Sequence, residues 1–244
     1  MVQRYFGFGL CLAFIFVGTC SGQKRGGVER DVAEPSIMKI LSKANISGSL
    51  EFWGSCDNES GVPDYPRLSV PSNNNGTPLE ILREMFSADP EMQVTQDADG
   101  TIRMVESDVP RDFLAVTIGH ISFDGIRKTI YESDGRERTE PFIVQDPNDA
   151  LHLILATPEV GAFMKSQNIK RPYLFDSPSS HWPGEPQISG SLENTTLSQA
   201  LDYVLKVYPG FWVYENCTNK SKERMVYIGF TFDSLGWAAK AKHH

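Results

Sequence analysis

The sequence has no long apolar run. A helix needs about 20 consecutive apolar residues to cross a bilayer, and no stretch of the 244 residues reaches that length. The clearest uncharged, mostly apolar segment runs from Tyr5 to Gly18 and is shorter than this. The sequence therefore predicts no membrane-spanning helix, and the short N-terminal run needs another explanation.

Basic residues are also scarce. Lys and Arg together number 23 against 31 Asp and Glu, which gives a formal net charge of −8. We find no stripe of basic residues that would offset this acidic excess locally. Because an acidic surface repels the phosphates of DNA and RNA, we expect no nucleic-acid partner.

Cysteine is rare as well, with four residues in the chain. Cys11 and Cys20 belong to the N-terminal segment, whereas Cys56 and Cys217 lie in the rest of the sequence. In an oxidising compartment such a pair indicates a disulfide. The alternative is two unpaired thiols in separate parts of the fold, and both interpretations stay open.

Signatures of catalysis and of metal binding are missing. There is no Gly-x-Ser-x-Gly turn of the kind that presents a serine nucleophile. His120, His152 and His181 each lack a second ligand at the short spacing that zinc sites favour. A role for Cys56 as a thiol nucleophile is a weaker alternative to a disulfide or an inert thiol. We therefore expect no catalytic residue, no metal and no cofactor.

The N-terminal segment has the pattern of a signal peptide. A basic residue precedes the apolar run, and small residues precede a cleavage point after Gly22. Alternatively, Val17-Gly18-Thr19-Cys20 has the form of a lipoprotein sequence, in which Cys20 would be acylated. Residues 1–22 are thus predicted to direct export. The polar, Gly-rich residues 23–34 are predicted to form a flexible tether.

The chain contains an internal repeat. The hexapeptide Ile-Ser-Gly-Ser-Leu-Glu at residues 46–51 recurs unchanged at residues 188–193. A helical pattern with a capping box follows each copy, formed by Thr77-Pro78-Leu79-Glu80 in the first and by Thr196 with Gln199 in the second. An identical hexapeptide followed by the same type of helix start predicts a duplicated unit.

Each predicted helix ends at a proline, Pro90 in the first copy and Pro209 in the second. Apolar and polar residues then alternate, as in half-buried strands. Each unit therefore has the order strand, helix, strand, hairpin, strand. Because a helix with one apolar face needs a sheet to bury it, we predict an α+β fold with two small βαββ-type units.

The segment Thr95–Glu106 has two interpretations. Its acidic residues and Gly100 approach the spacing of a calcium-binding EF-hand loop. However, its first position is Thr rather than Asp, and strand-like residues flank it. The sequence Asp97-Ala98-Asp99-Gly100 suits the turn of a hairpin, and we favour the hairpin.

The predicted organisation follows from these landmarks. The first unit covers residues 35–124, with residues 52–75 as an inserted loop rich in Gly, Pro, Ser and Asn. Two short helices and a Pro/Ser-rich connector occupy residues 125–186. The second unit covers residues 187–237, and residues 238–244 form a tail. A helical middle segment is thus expected between the two units.

The second unit resembles the STN module, the short domain at the N-terminus of secretins and TonB-dependent proteins. The resemblance lies in Ile188–Ile228, above all in the helix Leu197–Leu205 with its Leu-x-x-Ala-Leu-x-x-Val pattern. The first unit matches more loosely, with Ile81-Leu82 in place of Ala-Leu. Pro209-Gly210-Phe211 departs from the usual Thr-Gly-Leu. The resemblance implies a βαββ-type fold that contacts proteins in the bacterial periplasm and carries no catalytic residues.

These observations favour an exported, non-enzymatic protein that binds another protein of the cell envelope. An unpaired sheet edge in each unit is the expected docking surface. One alternative is a secreted hydrolase with a site between the units. Another is a ligand or glycan binder with an aromatic contact patch at Trp212, Tyr214 and Tyr227. The expected location is the periplasm or the exterior, with membrane contact only through a lipid anchor at Cys20.

Overall fold

A computed structural model describes most of the chain, namely residues 30–54, 65–71, 75–131, 136–170, 186–219 and 221–232. The predicted signal peptide, Cys20, Cys56, most of the inserted loop, the Pro/Ser-rich connector and the tail lie outside these residues. Among the described helices, none is both long enough and apolar enough to span a membrane.

Helices and strands are mixed along the chain, so the predicted α+β class is confirmed. The described elements, in chain order, are α1 (Arg30–Ala44), β1 (Gly48–Trp53), α2 (Pro78–Met85), a 3₁₀ turn (Phe86–Ala88), β2 (Met92–Gln96), β3 (Ile102–Glu106), β4 (Thr117–Ser122), β5 (Arg127–Tyr131), β6 (Glu137–Pro141), α3 (Pro147–Leu155), α4 (Pro158–Ser166), β7 (Ser191–Thr196), α5 (Leu197–Val207), β8 (Gly210–Thr218) and β9 (Arg224–Phe232).

The centre of the molecule is a mixed five-stranded sheet in the order β2-β3-β1-β8-β9. β1 runs parallel to both β3 and β8, while β2 and β9 are antiparallel to their neighbours. Two smaller antiparallel pairs, β4 with β7 and β5 with β6, lie outside this sheet. Among the strands that the structure describes, the edges of the main sheet are therefore β2 and β9.

The two predicted units share the main sheet instead of forming a sheet each. β1, β2 and β3 come from the first predicted unit, whereas β8 and β9 come from the second, and the two sets meet where β1 pairs with β8. β7, which contains part of the second hexapeptide, pairs with β4 of the first unit. The structure does not confirm the internal duplication, and the predicted units are joined by backbone hydrogen bonds.

One face of the sheet is covered by α1 and α2. Leu50 and Phe52 of β1 and Phe211 and Val213 of β8 point to this side and are fully or almost fully buried. They pack with Ile37 and the other apolar residues on the inner face of α1. The apolar faces of the two helices are thus buried against the sheet, as their amphipathic pattern requires.

The opposite face is covered by α5, α3, α4 and the β4–β7 pair. Trp212, Tyr214, Val226 and Ile228 project from the sheet into this larger core. β8 is buried on both faces, and its first five residues, 210–214, form an apolar run, as expected for a central strand. The sheet is therefore the middle layer of three.

The predicted helix starts of α2 and α5 are confirmed. In α2, the Thr77 side chain accepts a hydrogen bond from the Glu80 amide, and the Glu80 carboxylate accepts one from the Thr77 amide. In α5, Thr196 and Gln199 form the same reciprocal pair. These caps satisfy amide groups that the first turn of a helix leaves unpaired.

α1 begins earlier than predicted. The sequence indicated a tether up to residue 34 and a helix from Pro35, but the helix starts at Arg30 and contains Pro35. Ala33, one turn before Ile37, is also completely buried. This packing extends the helix past a residue that usually begins one, so residues 30–34 belong to α1 and not to a tether.

The hairpin prediction for Thr95–Glu106 is confirmed. β2 and β3 pair in register from Met92 opposite Glu106 to Gln96 opposite Ile102. The carboxylate of Asp99 accepts a hydrogen bond from the Thr101 amide, and Gly100 adopts a positive φ of 92°. The carboxylate of Asp99 therefore stabilises the turn of the hairpin.

Candidate functional site

A groove runs between α1 and α2, bordered by residues 68–71. Its volume is about 650 Å³, within the range of small-molecule sites in proteins. Aliphatic side chains form most of its wall, with Ile40 from α1, Leu68 from the bordering segment, and Ile81 and Met85 from α2. The groove is thus a concave apolar surface on the outside of the α1–α2 layer.

Two exposed aliphatic side chains line this groove. Val70 is 93% exposed and Val32 is 54% exposed. Among the described residues, the only other large hydrophobic side chain with comparable exposure is Ile143, which does not line the groove. Clustered apolar exposure next to a concavity is typical of a binding surface, whereas isolated exposed residues are ordinary.

The charge of the groove is opposite to that of the whole chain. Lys39 and Lys43, one turn apart on α1, contribute the charged side chains of its described lining. Both are exposed, and neither forms an ion pair with another described residue. In a protein with a net charge of −8, the α1 side of the groove is thus positive, whereas the Glu80 carboxylate lies beside Gly76 on the α2 side.

Hydrogen bonds hold the walls of the groove in place. The Ser69 amide donates to the Met85 carbonyl at 2.6 Å, which attaches the bordering segment to the end of α2. On α1, the buried Glu34 carboxylate accepts hydrogen bonds from the hydroxyls of Tyr65 and Thr231. α1 is thereby tied to the segment that borders the groove and to β9.

The β9 edge is the longer of the two sheet edges. Its first residue already receives a backbone partner, because the Lys170 amide donates to the Arg224 carbonyl at 3.0 Å. Lys170 also forms a parallel bridge with Met225. In this bridge the Val226 amide faces the Lys170 carbonyl. Since backbone groups alternate in direction along an antiparallel strand, those of Ile228 and Phe230 also point away from β8.

The β2 edge is shorter and partly covered. β2 has five residues, and the Arg83 side chain of α2 donates from Nε to the outward-facing Val94 carbonyl at 2.9 Å. Natural sheets often protect an edge strand in this way. The two edges therefore differ in how readily an added strand could pair with them.

A polar cluster joins β3 to α5 on the opposite face of the sheet. The Arg103 guanidinium donates two hydrogen bonds to the Asp202 carboxylate, at 2.9 and 2.7 Å, and also pairs with Asp97. Trp212 donates from Nε1 to Asp202 at 2.8 Å. Burial opposes the charge of Arg103, but the hydrogen bonds that it donates to Asp202 and Asp97 outweigh this effect and raise the pKa of Arg103.

Glu51 is a fully buried carboxylate in the central strand. The Ser49 hydroxyl donates to it at 3.1 Å, and Arg111 Nε lies 2.6 Å from Oε2. Burial raises the pKa of Glu51, although Arg111 and Ser49 oppose the shift. A raised pKa is typical of catalytic acids, but this side chain has no solvent exposure and faces its two partners.

A second polar cluster lies near the other end of β8. Arg224 forms two hydrogen bonds with Asp112, at 2.7 and 2.6 Å, and these lower the pKa of Asp112. The hydroxyl of Tyr214 donates to the Pro110 carbonyl and accepts from Asn216. Burial raises the pKa of Tyr214. The cluster attaches the segment before β4 to the β8–β9 hairpin.

The predicted aromatic contact patch is corrected by the structure. Trp212 and Tyr214 have no solvent exposure and pack in the α5 core. Tyr227 is partly buried and lies on the opposite face of the sheet, against the α1–α2 core. Neighbouring strand positions alternate between faces, so these three residues cannot form one exposed surface.

Cys217 is disulfide-bonded and almost fully buried. The parallel register of β1 and β8 places Trp53 opposite Asn216, and the Gly54 amide donates to the Asn216 carbonyl at 2.9 Å. Cys56, two residues further along, lies outside the described residues, as does Cys20. The register supports the predicted Cys56–Cys217 bond, which stays a prediction.

Sequence patterns did not indicate the groove or the Arg103–Asp202 pair. Both require knowledge of which elements become neighbours. The one local sign of the groove was the i, i+4 pair Lys39 and Lys43 on either side of Ile40 in α1. In the part of the chain that the structure describes, no three His, Cys, Asp or Glu side chains are grouped as metal ligands would be.

No family model, curated protein or solved structure matches this chain.

Proposed function

We propose that this protein is an exported, non-enzymatic interaction module of the bacterial envelope, in which the β9 edge receives an extended segment of a partner protein. The signal-peptide pattern of residues 1–22 supports export. The resemblance of Ile188–Ile228 to STN modules supports a role in protein contacts. Both are features of the sequence, and the structure adds a surface suited to this role.

The observation that carries the proposal is the contact of Lys170 with β9. Its amide-to-carbonyl bond to Arg224 and its bridge to Met225 form a parallel pairing on the outer side of β9. A backbone segment can therefore approach this edge at hydrogen-bonding distance. Among the described residues, pairing on this side stops after Lys170.

The composition of β9 also suits strand addition. From Met225 to Phe232 the strand contains no charged residue and no proline, the two residue types that commonly block an edge. A partner strand would gain main-chain hydrogen bonds along this length, with side-chain pockets on each face giving specificity. This is the edge-docking function expected from the sequence, assigned to one edge of a shared sheet.

A pair of substitutions at Phe230 tests the proposal. Phe230→Pro removes an outward-facing amide that β8 does not use, while Phe230→Ala removes the same side chain and keeps the amide. The full exported chain and both variants would be used to capture proteins from the native envelope, with quantification by mass spectrometry. We expect a partner enriched by the wild type and Phe230→Ala and lost with Phe230→Pro.

Thermal unfolding of all three proteins provides the control for folding. If Phe230→Pro is folded and captures the partner as well as Phe230→Ala does, the β9 edge is not the docking surface. If no protein is enriched over an unrelated acidic bait, the interaction function itself is contradicted.

A further inference from the structure

The α1–α2 groove has a polarity that an edge-docking function does not explain. Its floor is aliphatic, through Ile40, Ile81 and Met85, whereas its charged groups are two lysines. No acidic side chain belongs to its described lining, although Asp and Glu outnumber Lys and Arg by 31 to 23 in the chain. An apolar floor with a positive rim is an amphipathic site.

The two lysines are positioned to act together. Lys39 and Lys43 are four residues apart on α1, so their side chains project from the same face of the helix. Ile40, which follows Lys39 in the sequence, lines the groove beside them. A single anionic group above Ile40 could therefore contact both ammonium groups while its apolar part lies on the floor.

We propose that this groove binds a single-chain fatty carboxylate, with the carboxylate at Lys39 and Lys43 and the acyl chain on the aliphatic floor. The volume of about 650 Å³ suits a small molecule. The exposed side chain of Val70 lies at the rim, next to the proposed acyl chain. Burying Val70 on binding removes apolar surface from water. The positive charges of Lys39 and Lys43 favour an anionic head group, and the aliphatic lining favours an acyl chain.

Titration of defined amphiphiles into the full exported chain tests the proposal. Dodecanoate, dodecyltrimethylammonium and dodecyl maltoside share one tail and differ in head-group charge. Calorimetry below the micelle concentration of each compound measures their affinities. We expect saturable binding of dodecanoate at one site, with the cationic compound binding at least tenfold more weakly.

Charge variants test the role of the lysines. We expect Lys39→Gln/Lys43→Gln to weaken dodecanoate binding about tenfold, the effect of losing a charge-assisted hydrogen bond. The matched control is Lys165→Gln/Lys206→Gln, which makes the same charge change on α4 and α5, on the opposite side of the sheet. This control should bind as the wild type does.

A second pair of variants tests the apolar rim. Val70→Asp places a negative charge at the groove and should weaken dodecanoate binding at least tenfold. Ile143→Asp makes a similar change at an exposed aliphatic residue outside the groove and should have no effect. Both native side chains are exposed, so neither variant should prevent folding.

Several results would overturn the proposal. These are no saturable dodecanoate binding, equal affinity for the cationic compound, or unchanged binding by both groove variants. Co-sedimentation with phosphatidylglycerol vesicles without dodecanoate binding would instead make the groove a membrane contact. The Phe230→Pro variant should bind dodecanoate normally, so failure here is distinguishable from failure of the edge-docking function.

Discussion

The carboxylate of Glu51 is held away from water in the middle of the sheet, whereas Glu193, at the same position of the repeated hexapeptide, has a 63% exposed side chain. Glu51 sits in a strand that is covered on both faces, and its partners are Ser49 and Arg111. Burial disfavours the charged form of a carboxylate. The ionisation of Glu51 therefore affects the stability of the fold.

The contribution of Glu51 to stability changes with pH in one direction. Burial raises the folded-state pKa of Glu51 above its usual value of 4.5, so the folded protein binds this proton more tightly than the unfolded chain does. The stabilising contribution is complete below pH 4.5 and is lost as the pH rises through the folded-state pKa. A tenfold difference in proton affinity between the folded and unfolded states corresponds to about 1.4 kcal/mol of stability.

Glu51→Gln removes this contribution. We predict that the free energy of unfolding of the wild type, relative to that of Glu51→Gln, falls as the pH rises from 4.5 towards neutrality. Urea unfolding at a series of pH values measures this difference. A relative stability that rises with pH would mean that pairing with Arg111 outweighs burial.

At the scale of elements, the contact of α5 with β3 depends on one carboxylate. Asp202 accepts hydrogen bonds from both Arg103 and Trp212. The side chains of Arg103 and Asp202 are 13% and 20% exposed, so little water is available to replace a lost partner. Removing one member of a buried pair leaves the other charge uncompensated.

We predict that Asp202→Ala lowers the free energy of unfolding by roughly 3 kcal/mol, the lower end of the range for breaking a buried pair. Asp97→Ala is the matched control, because Asp97 pairs with the same guanidinium but is 45% exposed. Its effect should stay below about 1 kcal/mol. Chemical denaturation measures both values, and equal losses would show that burial does not determine the strength of these pairs.

Local sequence signals predicted several elements well. The capping residues Thr77 and Thr196 identified the starts of α2 and α5, and Asp97–Gly100 identified the turn between β2 and β3. These features depend on residues within a few positions of one another. By contrast, β6 (Glu137–Pro141) is charged and exposed, so its sequence has no apolar alternation, and no strand was predicted for it.

The hexapeptide shows why strand pairing was not predictable. Gly48 lies in the main sheet, where a Cβ would approach the Ile102 carbonyl to 2.8 Å. Gly190, in the identical sequence, instead adopts a positive φ of 91° just before β7. Both positions require glycine, but for different reasons. Identical local sequence therefore leads to different pairing because the neighbours come from distant parts of the chain.

At the scale of the whole molecule, the shared sheet makes the two predicted units dependent on each other. β8 pairs with β1 over six residue pairs, from Gly48–Phe211 to Trp53–Asn216. β7 pairs with β4, and α5 packs against α3. If the two units separated, the backbone groups through which β1 and β8 pair would be exposed to water. The chain should therefore unfold as one cooperative unit.

Separate expression of the predicted second unit tests this dependence. We predict that residues 187–237 alone show no cooperative thermal transition by circular dichroism, because β8 lacks β1 and β7 lacks β4. Addition of residues 23–170 should restore a folded signal. A cooperative transition of the isolated second unit would instead indicate two independent domains.

The central claim is that the outer side of β9 is available to a partner strand. Amide hydrogen exchange measured by NMR tests it residue by residue. We predict that the outward amides of Ile228 and Phe230 exchange much faster in the free protein than the inward amides of Tyr227 and Gly229, and that partner binding protects the outward group. Outward amides that are already as protected as the inward ones in the free protein would mean that the edge is occupied, and would contradict this claim.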